Sequence, residues 1–148
     1  MAGIGAFIAN FAAKWIESWS RSSQSVESQR DADLQEILLS AKLLCDHSEK
    51  LWVKSAAELG SDEIILRAHM IAQQHQLAEI ISELFKGTDK QDCDVEFHRL
   101  ATAATGGDFG DPNRDAEPGR LNEILIASRS LERRAKKARR SLKRKFMA

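Results

Sequence analysis

The chain has 148 residues, 43% of them hydrophobic and 30% charged, a composition that excludes both a disordered polymer and a multi-span membrane protein. The formal net charge is zero, but the stretch from Arg133 onward has nine Lys or Arg and no acidic residue, so residues 1–132 carry nine negative charges in excess. Such an asymmetry is typical of a chain with an interaction tail, and two cysteines without a secretory leader favour the cytoplasm.

Residues 1–20 are predicted to form an amphipathic helix that is rich in aromatic side chains. Its large apolar residues recur at i, i+3, i+4 and i+7 spacing and share one face: Ile4, Phe7, Ile8, Phe11, Trp15, Ile16 and Trp19. Such a face packs into a core or an oligomer interface, or it docks on a membrane or a partner, and the sequence leaves this choice open. The Ser-rich segment 21–30 is interpreted as a polar hinge or a weakly held continuation of the helix.

Residues 31–132 are predicted to form a helical bundle core. A long helix begins near Arg30 and ends at the segment LGSDE, where Gly60 provides the turn and Ser61 or Asp62 caps the next helix. So short a connection predicts an αα-hairpin. The second helix is predicted over residues 62–86, with these residues on its apolar face: Ile64, Ile65, Ala68, Ile71, Ala72, His75, Ile80, Ile81, Leu84 and Phe85.

Two further helices complete the predicted core. Asp94 can cap a shorter helix that carries Val95, Phe97 and Leu100, and a Gly- and Pro-rich loop follows it. The last helix begins near Leu121 and continues into the basic end. No segment alternates with period 2, so the predicted fold class is all-α: a helical hairpin completed into a four- to five-helix bundle-like domain, with a projecting basic C-terminal helix.

Residues 133–148 are predicted to be a basic helical tail, because Ala135, Ala138 and Leu142 offer too little apolar area to hold it firmly in a core. The side chains predicted to bind an anionic partner are Arg133, Arg134, Lys136, Lys137, Arg139, Arg140, Lys143, Arg144 and Lys145.

Three partners for this tail remain open. An anionic membrane surface is preferred, because a modest apolar helix and a basic patch bind lipid well only together. The alternatives are the backbone of a nucleic acid, bound without sequence specificity, and the acidic body of another copy or of a larger complex. We therefore expect a non-enzymatic, self-associating interaction protein of the cytoplasm, at the inner face of a membrane.

The segment that begins at Asp111 is the closest approach to a ligand-binding motif. Its oxygen-bearing residues stand at positions 1, 3 and 5 of an EF-hand loop: Asp111, Asn113 and Asp115. Ala116 and Asn122, however, stand where that loop needs a Gly and a bidentate Glu. An acidic capping loop is preferred, and cation binding by residues 108–117 is left open.

No pattern of catalytic, cofactor-binding or metal-ligating residues is found. Histidines 47, 69, 75 and 98 lack the spacing of zinc or di-iron sites, and His75 is interpreted as a core residue. Cys45 is expected to be a buried, inert thiol, and Cys93 to lie in an acidic loop with little reactivity.

Overall fold

The computed structural model describes the backbone of residues 3–148 and the side chains of Lys14, residues 16–145 and residues 147–148. Five α-helices follow one another: α1, Gly3–Trp52; α2, Ala56–Leu59; α3, Asp62–Leu84; α4, Gly87–Thr105; and α5, Arg120–Met147. A 3-10 turn at Gly107–Gly110 precedes α5, and the described residues contain no strand. The predicted all-α, bundle-like fold class is confirmed.

The chain divides into two compact units, Met1–Ala32 and Asp33–Ala148. In the first unit, α1 continues through residues 21–30, the segment interpreted as a hinge or a helical continuation. No Gly or Pro interrupts that segment, and Arg21 pairs with Glu17 one turn earlier on the helix. Pairs at this spacing each stabilise a helix by about 0.2–0.5 kcal/mol.

The core of the second unit is formed by the last part of α1 together with α3, α4 and α5. Gln76 donates a hydrogen bond to Glu36 at 2.6 Å, and His47 lies 3.1 Å from Gln73. These pairs give α1 and α3 an antiparallel register, as the hairpin prediction requires. The large side chains that are fully buried include Ile37, Leu44, Leu51, Met70, Leu77, Ile81, Leu100, Ile124 and Leu131.

The connection between α1 and α3 differs from the predicted one. Helix α1 ends at Trp52, and the short helix α2 begins after Ser55. The Ser55 hydroxyl accepts from the Glu58 amide at 3.2 Å while the Glu58 carboxylate accepts from the Ser55 amide at 2.8 Å, a capping box. The backbone hydrogen bond from Ser55 lowers the pKa of Glu58. Gly60 provides the turn with a positive φ of 56°, but its ψ of −128° is not that of the left-handed helical conformation, and Ser61 makes no capping hydrogen bond.

The predicted apolar face of α3 is wrong along the first half of the helix. Glu63 and Met70 are buried there, whereas the predicted core residues Ile64, Ile65, Ala68, Ile71, Ala72 and His75 are exposed. Helix α3 has apolar residues on more than one side, so periodicity cannot decide which side faces inward. Glu63 fixes which side of α3 faces inward, because its carboxylate pairs with the buried Arg114.

Helix α4 begins at Gly87, earlier than the predicted start at Asp94, so Cys93 lies within a helix and is buried. The part of α5 that packs in the core extends further toward the C-terminus than the few apolar side chains there predicted. Ala135 and Ala138 belong to the core cluster, and Leu142 packs partly against it. Small side chains achieve this because they let the helix backbones approach closely. Beyond Leu142, residues 143–145 and 147–148 are exposed, as predicted.

The two isoleucines Ile81 and Ile71 test the observed orientation of α3. Ile81→Ala should lower the free energy of unfolding by about 2–5 kcal/mol, because Ile81 is fully buried and its loss leaves a cavity. Ile71→Ala is the matched control on the same helix and should cost under about 1 kcal/mol, since Ile71 is 44% exposed. Urea unfolding followed by circular dichroism gives both values, and equal losses would contradict this orientation.

Candidate functional site

Helix α5 separates its charges from the core by a stripe of small and apolar side chains. Leu131, Ala135 and Ala138 face inward at i, i+4 and i+7, so most of the cations between them point outward. Of the nine predicted anion-binding residues, the exposed ones are Arg133, Lys136, Lys137, Arg140, Lys143, Arg144 and Lys145. Arg134 is half-buried, and Arg139 is 4% exposed, so its guanidinium belongs to the interior.

Few of these cations are neutralised within the described part of the chain. Arg134 lies 3.6 Å from Asp92 of α4, and Lys136 lies 2.6 Å from Glu132 on its own helix. Within the described residues, neither Arg133 nor Lys137 forms an ion pair, and the same is true of residues 143–145. The cationic side chains at the end of α5 therefore remain available to bind an external anion.

A groove of about 370 Å³ runs between α4 and α5 on the cationic flank of α5. Its lining residues are Glu96 of α4 and Ser130, Arg133, Arg134, Lys137 and Arg140 of α5. The α5 residues recur at i, i+3, i+4, i+7 and i+10, so they form one continuous stripe along the helix. Four cationic side chains therefore converge on a concave surface, an arrangement that the sequence alone did not indicate.

The aromatic face of α1 is only partly within the described side chains. Ile16 is 64% exposed and Trp19 is 70% exposed. Val26, two turns further along the same face, is 44% exposed. The other predicted docking residues, Ile4, Phe7, Ile8, Phe11 and Trp15, lie outside the side chains that the structure describes. Packing within the chain leaves the described part of this apolar stripe in contact with solvent.

A second concentration of charge, buried and not predicted from the sequence, lies at the end of α1. We call it the arginine–tryptophan cluster: Trp52, Glu63, Arg114, Glu117 and Arg120. The guanidinium carbons of Arg114 and Arg120 lie over the Trp52 ring, 4.9 and 4.2 Å from its centroid. The Trp52 indole N–H donates to the Ala104 carbonyl at 2.9 Å. Each desolvated cation–π contact of this kind is worth about 2 kcal/mol.

Arg114 has a partner for each of its guanidinium nitrogens. Nε and Nη2 donate to the two carboxylate oxygens of Glu63 at 3.3 and 2.8 Å. Nη1 donates to the carbonyls of Lys54 and Asp115 at 2.9 and 3.0 Å. Arg114 is only 1% exposed. The cluster stabilises the fold because this full set of hydrogen bonds offsets the cost of taking the charge out of water.

Arg120 lies at the C-terminal end of the loop between α4 and α5, the loop that also contains Arg114. It donates to Glu117 at 3.2 Å and to the carbonyls of Ala103 and Gly106 at 3.2 and 2.9 Å. Gly107 has a φ of 58°, and a Cβ there would lie 2.4 Å from a guanidinium nitrogen of Arg120. The positive φ therefore favours glycine at 107, and a side chain there would also displace the Arg120 guanidinium. Gly107, in the Gly- and Pro-rich loop, thus leaves space for the Arg120 side chain.

The acidic loop at residues 108–117 acts as a turn in the structure. The Asp111 carboxylate accepts from the Asn113 amide at 2.8 Å, which is an Asx turn. The loop backbone is also bound to the rest of the unit, since the Arg114 carbonyl accepts from the Ala56 amide at 2.9 Å. The described residues contain no group of three or more Asp, Glu, His or Cys side chains placed to hold a metal ion.

The two cysteines differ in burial. Cys93 is fully buried between α4 and its neighbours, and burial, with the nearby carboxylates of Asp89, Asp94 and Asp92, raises its pKa to about 12. Cys45 is half-buried, and its pKa is also raised, mainly by burial. A thiol that keeps its proton is a poor nucleophile and a poor metal ligand. Neither cysteine has the environment of a catalytic thiol.

His47 and His69 form an unexpected pair across the α1–α3 contact. Their rings are stacked, with centroids 5.2 Å apart and an interplanar angle of 12°. His75, predicted to lie in the core, is exposed instead. A stacked arrangement of two rings contributes packing between α1 and α3, and it presents no third ligand for a metal.

None of the helices in the described part of the chain has the length and apolarity needed to cross a bilayer. Comparison with protein-family models, with curated proteins and with solved structures found no match to this chain. The surfaces of the molecule that bear on its function are the groove and basic end of α5 and the exposed apolar stripe of α1.

Removing one partner of the buried Arg114–Glu63 ion pair should strongly destabilise the second unit. Arg114→Met should lower the free energy of unfolding by about 3–5 kcal/mol, because it leaves the Glu63 carboxylate buried without its charge partner. Arg21→Met breaks the corresponding exposed Arg–Glu pair on α1 and should cost under about 1 kcal/mol. Equal effects in urea unfolding would contradict the structural role of the buried pair.

The raised pKa of Cys93 gives stability an alkaline dependence. The folded chain keeps the Cys93 proton at pH values at which the unfolded chain, with a thiol pKa of 9.0, has lost it. This contribution is fully present below the unfolded pKa and is lost as the pH rises toward about 12. Cys93→Ala should therefore lose less stability over this window than the wild type in urea unfolding at successive pH values. Parallel pH profiles would show that Cys93 titrates normally.

Proposed function

We propose that this protein is a non-enzymatic peripheral protein that docks on an anionic membrane surface, using the aromatic face of α1 together with the basic end of α5. The observation that carries the proposal is the exposure of Trp19 and Ile16, 70% and 64% respectively. Large apolar side chains left outside a core on one helical stripe favour a surface that will bury them.

The charge on α5 is the second feature that supports membrane docking. Arg133, Lys137 and residues 143–145 have no ion pair within the described part of the chain. Each cation held near an anionic leaflet contributes about 1 kcal/mol, within a screening distance of about 8–10 Å. An apolar helix and a basic segment that are each too weak to anchor a protein become effective together. A cytoplasmic protein at the inner leaflet of a membrane would find both apolar lipid for the α1 stripe and anionic headgroups for the α5 cations.

Nucleic-acid binding and self-association remain the competing proposals. Phosphates in a nucleic-acid backbone would satisfy the cations of α5, but they would leave the Trp19 indole and the Ile16 side chain in water. A second copy could cover the apolar stripe, and its acidic surface could reach the cations. The membrane is favoured over a nucleic acid because one partner then accounts for both surfaces, and the oligomeric state in solution distinguishes it from self-association.

Vesicle flotation tests the proposal with a double substitution on α1 and a control substitution on α3. Wild type should float with vesicles that contain anionic lipid, and Ile16→Ala/Trp19→Ala should lower the bound fraction at least about tenfold, because the buried apolar area is lost. Ile64→Ala, which removes a side chain of similar exposure from α3, should bind like the wild type. Substituting Gln for Lys143, Arg144 and Lys145 should weaken binding to anionic vesicles selectively.

Two further measurements separate the competing proposals. Wild-type protein that stays in the soluble fraction with anionic vesicles removes the membrane proposal. A nucleic-acid binder that contacts about six phosphates should lose roughly a thousandfold in affinity between about 50 and 200 mM salt. For an assembly protein, truncation after Leu131 should lower the mass observed by light scattering.

A further inference from the structure

The side of α3 that faces away from the core is an apolar surface in contact with solvent. Ile64 is 70% exposed, Ile65 is 55% exposed and Ile71 is 44% exposed. With their exposed neighbours they recur at the spacing of a coiled-coil seam, which we call the α3 seam: Ile64, Ile65, Ala68, Ile71, Ala72 and His75. Contiguous apolar residues left exposed on one helix mark an interaction surface.

Two leucines of α1 widen this apolar surface. Leu39 is 57% exposed and Leu43 is 37% exposed. They lie between Glu36 and His47, two α1 residues whose side chains contact α3. The α3 seam is itself about 17 Å long at a rise of about 1.5 Å per residue. The outer side of the α1–α3 hairpin is therefore large enough to pack against another pair of helices.

The charges around the α3 seam favour a second copy of the chain over an anionic membrane. Among the Lys, Arg, Asp and Glu residues of α3, the exposed ones are Asp62, Glu79 and Glu83, and all three are acidic. Arg67 is half-buried, and its guanidinium carbon lies 5.4 Å from the centroid of the Phe109 ring. An anionic leaflet would be repelled by these carboxylates. The seam contains no Lys, Arg, Asp or Glu, so an identical seam can meet it without like-charge repulsion.

An antiparallel arrangement of two α3 seams suits both their shape and their charge. A two-fold axis at Ala68 lets the helices approach closely at their centre, because that side chain is small. The end of one seam with Ile64 and Ile65 then packs against the end of the other with Ile71 and Ala72. A parallel arrangement would place the acidic residues near the C-terminal end of α3 beside their own counterparts, whereas the antiparallel one separates them.

We propose that two copies of this chain form an antiparallel, two-fold dimer through the α3 seam, with Leu39 and Leu43 at the edge of the contact. The dimer uses neither the apolar stripe of α1 nor the basic end of α5, so it goes beyond the proposed membrane docking and is independent of it. It assigns the predicted self-association to a face of α3 that the sequence analysis placed in the core.

Sedimentation equilibrium with a pair of matched substitutions tests the dimer. Wild type should have twice the 16.5 kDa mass of one chain. Ile64→Arg should raise the dissociation constant of the dimer at least about thirtyfold, the loss expected for one central interface residue. Val95→Arg is the matched control, because Val95 is 67% exposed on α4, and it should keep the dimer. Circular dichroism of both variants checks that they are folded.

A cysteine variant tests the two-fold axis without adding charge to the seam. Oxidation of Ala68→Cys should cross-link two copies through residue 68, because the axis places that position opposite itself. Val95→Cys should give no more cross-linked dimer than wild type, whose own thiols are Cys45 and Cys93. Equal cross-linking by the two variants overturns the proposed axis.

The outcomes separate this inference from the proposed function. Wild type with the mass of a single chain overturns the dimer and leaves membrane docking standing. A dimer that Ile16→Ala/Trp19→Ala dissociates and Ile64→Arg does not supports the competing self-association through α1 and also overturns the inference. Loss of vesicle binding by Ile64→Arg without a change in mass shows a seam that faces lipid, which overturns the dimer. At concentrations at which the chain is monomeric, the effects expected above for Ile71→Ala and Ile64→Ala are unchanged.

Discussion

The Arg114 guanidinium, buried over the Trp52 ring and bonded to both carboxylate oxygens of Glu63, is the contact on which the second unit depends. It joins the end of α1, the first turn of α3 and the loop before α5. A buried charge costs several kcal/mol unless every donor is satisfied, so the loop backbone has to adopt the one path that supplies the Lys54 and Asp115 carbonyls. That requirement restricts the path of the loop.

The same contact sets the positions of the helices that carry the surfaces of interest. Glu63 must face inward to reach Arg114, and this turns Ile64 and Ile65 outward on α3. At the other end of the loop, Arg120 bonds to the carbonyls of Ala103 and Gly106 and thereby starts α5 beside the end of α4. The groove between α4 and α5 follows from that alignment, because α5 then packs along α4 through small side chains such as Ala135.

The two kinds of cation in this chain have opposite roles for one physical reason. Arg114 and Arg120 have carboxylates and carbonyls within hydrogen-bond distance, so their charges are satisfied by contacts within the protein. Arg133 and Lys137 have no such neighbours among the described residues, and their charge remains available to an external anion. Together with the exposed apolar stripe of α1, this surplus of cations supports the proposed docking function.

The amino-acid sequence by itself determined the helical class and the sorting of charge toward the C-terminus. The 3.6-residue period of the apolar residues indicates the class, and the order of charged residues along the chain is the sorting itself. Only the tertiary structure decided the face of α3, the break of α1 at Trp52 and the groove at Glu96. Helix α3 has apolar residues on more than one side, so its orientation is selected by the contact between Glu63 and Arg114, which are 51 residues apart in the chain. Local periodicity contains no information about a partner at that separation, since the partner's position is set by the folded loop.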